Sequence, residues 1–151
     1  MIRESDHSDL KSIIDLKIQM FEDANLIHLL HENAKELIEK AYLELQNHNN
    51  MKHFVIDIDD EIIGMAGAFI KNDIPYCFYK TPFYGFIGDV YIKREFRRKG
   101  YATLLTEKVI EWLKCHDVKM IKLLATPEAE EIYKQFGFKD TIEMILKVEN
   151  F

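Results

Sequence analysis

Six residues, Arg97-Arg98-Lys99-Gly100-Tyr101-Ala102, stand between the apolar run Phe86 to Ile92 and the amphipathic run Leu104 to Leu113. Strand, basic glycine loop, helix is an order that builds an anion site. The first turn of a helix carries N–H groups with no partner inside the helix, and the macrodipole adds partial positive charge there. A phosphate at that end is held by backbone alone. Gly100 has no Cβ, so a phosphate can approach the main chain closely, and Ala102 keeps the next turn small. The three cations of the loop lie in a chain of net charge -6. A local basic cluster on an acidic background points to one anionic ligand rather than to a polyanion surface. Taken alone, the same residues also describe a solvated charge run capping an ordinary helix.

The 151 residues read as one domain over 1–151, long enough to bury about 68–70 % of their unfolded surface. A hydrophobic share of 48 % with 30 % charged residues is ordinary globular composition. No apolar run approaches the ~20 residues of a membrane span. The start, Met1-Ile2-Arg3-Glu4-Ser5-Asp6, has no apolar signal core, which predicts a cytoplasmic chain. Cys77 and Cys115 are expected to be reduced thiols, Cys115 in packing at least partly buried. The acidic balance speaks against nucleic acid and mildly favours an amine partner. His28 and His31 are three apart with no third ligand in view, so no metal site is expected.

Taken in order, Met1 to Arg3 suits a short strand, with Ser5, Asp6 and Ser8 as helix-start candidates. A first helix then fades by Asn25. Ala34, Leu37, Ile38, Ala41, Tyr42 and Leu45 recur at helical spacing and predict a second. His53 to Ile58 and Ile62 to Ile70 read as a hairpin around Asp59-Asp60-Glu61. Gly64, Ala66, Gly67 and Ala68 leave room for close approach of another backbone or a ligand. Lys71 to Phe83 reads as a loop whose aromatics Tyr76, Phe78, Tyr79 and Phe83 either fold onto the core or wall a pocket. Gly100 to His116 is a third helix and Lys119 to Leu124 a strand. Thr126-Pro127 predicts the start of a short fourth helix, stopped by Gly137. Thr141 to Val148 is expected to be the last strand.

This order of elements, with two motifs, resembles the GNAT superfamily of acetyltransferases. The family pattern V-x-x-x-x-R-x-x-G-x-G/A is matched from Ile92 to Ala102, with isoleucine for valine. A second, A-x-x-h-Y-x-x-x-G-F with h apolar, is matched from Ala129 to Phe138. The fold implied is α/β: three layers, about four helices on both faces of a mixed twisted sheet, its two central parallel strands splayed apart. The resemblance implies acetyl-CoA as cofactor, its pantetheine arm paired to the backbone of Val90, Tyr91 and Ile92. Its pyrophosphate would lie on the N–H groups between Arg97 and Ala102, with Tyr101 inside that turn and Arg98 or Lys99 reaching the 3′-phosphate. Two positions depart from the family pattern. Arg94 stands where proline is common, and Thr126 where an asparagine often touches the pantetheine.

The reaction so implied moves an acetyl group directly to an amine. It needs a neutral amine, donors for the developing oxyanion, and a proton for the departing sulfur. By resemblance Tyr133 supplies that proton, while periodicity alone would make it a core tyrosine. A backbone N–H near Val90 or Tyr91 would serve the oxyanion. Asp89 is the candidate base, directly or through water; a carboxylate bonded to strand backbone or a nearby cation is the competing reading. A lysine ε-amine is neutral about once in 2,500 molecules at pH 7, a handicap of about 4.6 kcal/mol, against about 1 kcal/mol for an α-amine. The expected acceptor is therefore an α-amine or small metabolite amine. The resemblance also allows a homodimer, since many members pair. A competing expectation is a sensor that binds acetyl-CoA without turnover; a dinucleotide oxidoreductase lacks its G-x-G-x-x-G turn.

Overall fold

The structure, a computed structural model, describes residues 1–74 and 82–149. In chain order it contains β1 (Ile2–Glu4), α1 (Leu10–Asp23), α2 (Ala34–Asn47), β2 (Met51–Ile58), β3 (Glu61–Asn72), β4 (Phe83–Ile92), α3 (Tyr101–Cys115), β5 (Ile121–Leu123) and α4 (Glu130–Gln135). The five strands form one sheet in the order β1-β2-β3-β4-β5. The first four run antiparallel to their neighbours, and β5 lies parallel to β4.

Local chemistry sets the element ends. Asp6 accepts from the Ser8 N–H and Asp9 from the Asp6 N–H, both at 2.8 Å, a capping box on the turn that leads into α1. Arg3 then grips Asp9 through both terminal nitrogens, at 2.7 and 3.0 Å, and Asp57 at 2.9 Å, which ties this turn to β1 and β2. Asp59 and Asp60 sit at φ 51° and 64°. Two consecutive left-handed residues are what a two-residue type I′ hairpin requires, and aspartate tolerates that conformation.

Alternation along β2 splits the core in two. Met51 and Val55 face α1 and α2, where they meet Leu10, Ile13, Ile14, Leu16 and Tyr42. Phe54 and Ile56 face the other way, against Leu105, Val109 and Leu113 of α3. Helices therefore cover both faces of the sheet, the three layers expected. Ala66 and Ala68 are fully buried in the second cluster. The space left by the small residues of β3 is taken by side chains. A Cβ on Gly64 would meet the Ile92 side chain at 2.6 Å, and one on Gly67 the His53 imidazole at 2.9 Å.

Three expectations are corrected. The Thr126 carbonyl accepts from the Ala129 and Glu130 N–H groups at 3.0 and 3.1 Å, so the chain turns helically there, but regular helix begins at Glu130, capped without a side-chain bond by Ala129. Residues 141–148 form no strand and are exposed; no strand lies hydrogen-bonded beside them among the described residues. Cys115 is exposed at the end of α3. Tyr76, Cys77, Phe78 and Tyr79 lie outside the described residues. Among the described residues no helix is long and apolar enough to cross a membrane.

Candidate active site

The parallel pair β4–β5 is hydrogen-bonded only over Gly85 to Ile87, opposite Ile121 to Leu123. Beyond Ile87 the two strands part. On its other side β4 stays paired with β3, through Tyr91 to Met65 and Ile92 to Gly64. Between Gly88 and Tyr91 it carries one residue more than β3 does, a β-bulge, with Asp89 at φ 55°. A left-handed non-glycine residue costs about 1–3 kcal/mol and persists only where its surroundings hold it. The parted strands open a cleft of about 890 Å³ lined by Gly88 to Ile92 on one side and by Leu124, Thr126 and Tyr133 on the other. The edge of β4 that lost β5 thus presents backbone groups into a cavity.

One end of the cleft is the glycine loop. Gly100 is the N-cap of α3 at φ 80°, and a Cβ built there would meet nothing within 4 Å. Only glycine takes that conformation without strain, and the missing Cβ faces open space beside the first-turn amides. Arg98, Gly100, Tyr101, Ala102 and Thr103 line this end of the cleft. Arg98 is itself left-handed, at φ 63°.

Arg97 has a different task. Its N–H is taken by the Arg94 carbonyl, and its Nε donates to the Ile92 carbonyl at 2.8 Å. The guanidinium reaches Asp23 at 3.2 Å and lies over the Tyr91 ring. The Tyr91 hydroxyl donates to the same Asp23 carboxylate at 2.5 Å. Burial, then the Asp23 hydrogen bond, push the Tyr91 pKa up to about 12, so it remains a donor. The end of α1, β4 and the loop are braced to one another through these three side chains.

Asp89 forms the second centre. Its carboxylate accepts from Lys17 of α1, Tyr42 of α2 and His53 of β2, the last at 2.9 Å. Burial alone would raise the pKa of Asp89, but the His53 hydrogen bond and the Lys17 ammonium outweigh it and hold the carboxyl well below its usual range. Burial and the adjacent Asp89 raise the pKa of Tyr42, which stays protonated. His53 Nδ1 is buried without a hydrogen-bond partner. With Nε2 aimed at the carboxylate, that favours the tautomer protonated at Nε2, which donates to Asp89 and leaves no orphaned N–H. Of this group Lys17, Tyr42 and Asp89 line the cleft, and His53 stands behind them. Asp89→Ala should cost about 2 kcal/mol in chemical denaturation, because three donors lose their acceptor while Lys17 can still swing to water. The folded pKa lies below the unfolded ~3.9, so this contribution is full above about pH 5 and fades as pH falls through 3.9 towards the folded value. A stability difference between wild type and variant that does not shrink in acid would contradict it.

Tyr133 is buried on the cleft wall, its ring edge-on to Phe138 with centroids 6.0 Å apart. Burial raises its pKa above the ordinary ~10. Among the described residues its hydroxyl has no hydrogen-bond partner, so the donor is free to face what enters the cleft.

Comparison with known proteins gives this arrangement its context. The model of the acetyltransferase (GNAT) family matches residues 13–138. The chain belongs to the GNAT acetyltransferases. An aminoglycoside N(6')-acetyltransferase type 1 from Acinetobacter haemolyticus is 24% identical over 147 residues, 95% of this chain and 94% of that one. The crystal structure of a predicted acetyltransferase with acetyl-CoA, from Clostridium acetobutylicum, superposes with a TM-score of 0.85 at 20% identity, covering 97% of this chain and 94% of that one. Glucosamine-6-phosphate N-acetyltransferase from Arabidopsis thaliana superposes with a TM-score of 0.73 at 19% identity, over 99% and 98% of the two chains. The chain is thus an acyltransferase by family, and acetyl-CoA is the cosubstrate that the family indicates.

In this GNAT chain the residues present fit that cosubstrate. Gly100 leaves open space next to the first-turn amides of α3, at the end of the cleft where a diphosphate could approach the main chain. Asp89, Val90, Tyr91, Ile92, Arg97, Arg98, Gly100, Tyr101, Ala102, Thr126 and Tyr133 come together around one cleft. Lys99 is exposed outside that lining, its ammonium 5.6 Å from the Phe96 ring centroid. Lys17, Tyr42 and His53 were not singled out in the sequence. Tyr42 reads there as one more member of a helical stripe, and His53 as one position of an alternating strand.

Proposed function

We propose that this GNAT enzyme transfers the acetyl group of acetyl-CoA directly to the amine of a small molecule, within a ternary complex. The observation that carries this reading is the cleft itself: an unpaired strand edge, a glycine-capped helix start and a free tyrosine hydroxyl share one cavity. The N–H groups from Arg98 to Ala102 hold the diphosphate, and the exposed backbone of Val90 to Ile92 pairs with the pantetheine amides. Arg97 keeps the loop in place through Asp23 and the Ile92 carbonyl. Arg98 and Lys99 supply positive charge for the 3′-phosphate. A backbone N–H of Val90 or Tyr91 stabilises charge on the thioester oxygen, and the Tyr133 hydroxyl gives its proton to the departing sulfur. Bound acetyl-CoA supplies an activated acyl group.

Asp89 enters this chemistry as an ionised carboxylate buried in the cleft wall, held by Lys17, Tyr42 and His53. Its depressed pKa makes it a poor proton acceptor, so water takes the amine proton while the carboxylate fixes Lys17 and Tyr42 in the cleft wall. Such a site works best on amines that deprotonate readily. The named relatives, an aminoglycoside and a glucosamine-6-phosphate acetyltransferase, support a small-molecule acceptor over a protein lysine.

A panel of small amines and peptide α-amines with acetyl-CoA, read by thiol release, tests the proposal. Small amines should release thiol, and kcat/KM should rise with pH to a plateau set by the acceptor amine's own pKa. Tight acetyl-CoA binding with no thiol release for any acceptor would make the protein a sensor. An acidic limb at carboxylate pH, the same for every acceptor, would make Asp89 the base.

A further inference from the structure

The cleft is lined by the start of α3 from one face of the sheet and by residues of α1 and α2 from the other. With the cosubstrate's diphosphate at the glycine loop, the α1–α2 end is left for the amine. That end is apolar, lined by Met20, Phe21, Tyr42, Phe69 and Phe86, with the Tyr42 and Phe69 ring centroids 5.8 Å apart. Its charged groups are Lys17, Lys71 and Asp89. Asp89 already accepts from three donors, and its side chain is 2% exposed, so it offers a ligand no free charge. Lys17 gives one N–H to Asp89 and has two more. Lys71 is exposed at the rim, and among the described residues it pairs with no carboxylate. Glu128, the other carboxylate of the lining, is exposed on the opposite wall, just before α4.

A polycationic acceptor would therefore meet two ammonium groups at this end and no free carboxylate, and like charges set together cost affinity. Nor do the rings serve as a cation site. The Lys71 ammonium lies 3.9 Å from the Phe86 centroid and that of Lys17 5.5 Å from the Tyr42 centroid, so two of the ring faces already carry the chain's own cations. Resting on the acetyl transfer proposed above, we propose that the acceptor is an amine with an apolar body and a carboxylate close to the amine, the chemistry of an apolar or aromatic α-amino acid. The body lies against the aromatic wall, and the carboxylate takes the remaining N–H groups of Lys17 and the charge of Lys71. Lys17 bonds the residue next to Val90, where the thioester is placed, so an anion held there is a near neighbour of the reacting amine.

Thiol release from acetyl-CoA with phenylalanine, leucine, phenylalaninamide, phenethylamine and the aminoglycoside kanamycin A tests this. Phenylalanine and its amide share a body and a reacting amine and differ in the anion. The amide's amine deprotonates more readily, so a preference for the acid isolates the carboxylate. The two acids should show a kcat/KM at least tenfold above the other three amines. Lys71→Glu should raise the KM for phenylalanine tenfold or more and remove its preference over the amide. Lys71→Arg, which keeps the charge, should retain both, and acetyl-CoA binding by calorimetry shows that each variant folds. A higher kcat/KM for kanamycin A, phenethylamine or the amide would overturn the acceptor class and leave the transferase standing. So would a preference for the acids that Lys71→Glu does not disturb. Acetyl-CoA binding with no thiol release from any of these amines would count against the transfer itself, and this inference would go with it.

Discussion

Gly100→Glu should abolish acetyl-CoA binding, raising Kd by about three orders of magnitude or more while the protein still folds. Two effects combine. The side chain would occupy the open volume beside the first-turn amides, and its carboxylate would stand where a diphosphate must sit. At φ 80° any residue with a Cβ also strains the backbone, by about 1–2 kcal/mol, which lowers Tm by a few degrees in a chain of this size. Gly100→Ala separates the two, since it keeps the strain and brings no charge. It should lose about tenfold in affinity, in line with one partly blocked contact. Titration calorimetry beside thermal melts reads both variants. Wild-type affinity in Gly100→Glu would remove the loop from the account.

Tyr133→Phe should lower kcat by roughly 10- to 10³-fold, with the KM for acetyl-CoA nearly unchanged. The ring stays, and with it the edge-on contact to Phe138 and the burial of the α4 face. Only the hydroxyl is lost. Because burial raises its pKa above ~10, Tyr133 remains an acid across the neutral range, against a thiol that resembles cysteine at ~8.5. Any alkaline decline in kcat that belongs to Tyr133 should begin above pH 10 and vanish in the variant. Full activity in Tyr133→Phe would leave it a packing residue.

The parts of the fold visible in the sequence are those that local chemistry decides. The α2 stripe, the hairpin around Asp59 and Asp60, and the β4–loop–α3 unit each rest on neighbours within a few residues. The cluster at Asp89 does not. Lys17, Tyr42 and His53 are 72, 47 and 36 positions away and arrive from three elements. What brings them together is a bulge at Asp89 and the bare Gly67, whose Cβ would strike the imidazole. Periodicity sees neither. Arg97 shows the same limit: it lines the cleft, but that its guanidinium also reaches Asp23 of α1 and the Ile92 carbonyl is invisible to local pattern. Residues 141–148 alternate as a strand would, but they form none, because alternation does not supply the neighbouring strand that pairing needs.

Amide hydrogen exchange, with and without acetyl-CoA, measures the central claim residue by residue. A cosubstrate seated in the splayed cleft should slow exchange at Arg98 to Thr103 and at Val90 to Ile92, and leave the β1–β2 edge unchanged. Saturating acetyl-CoA with no protection at the start of α3 would mean that the diphosphate lies elsewhere, and the site described here would not be the one this enzyme uses.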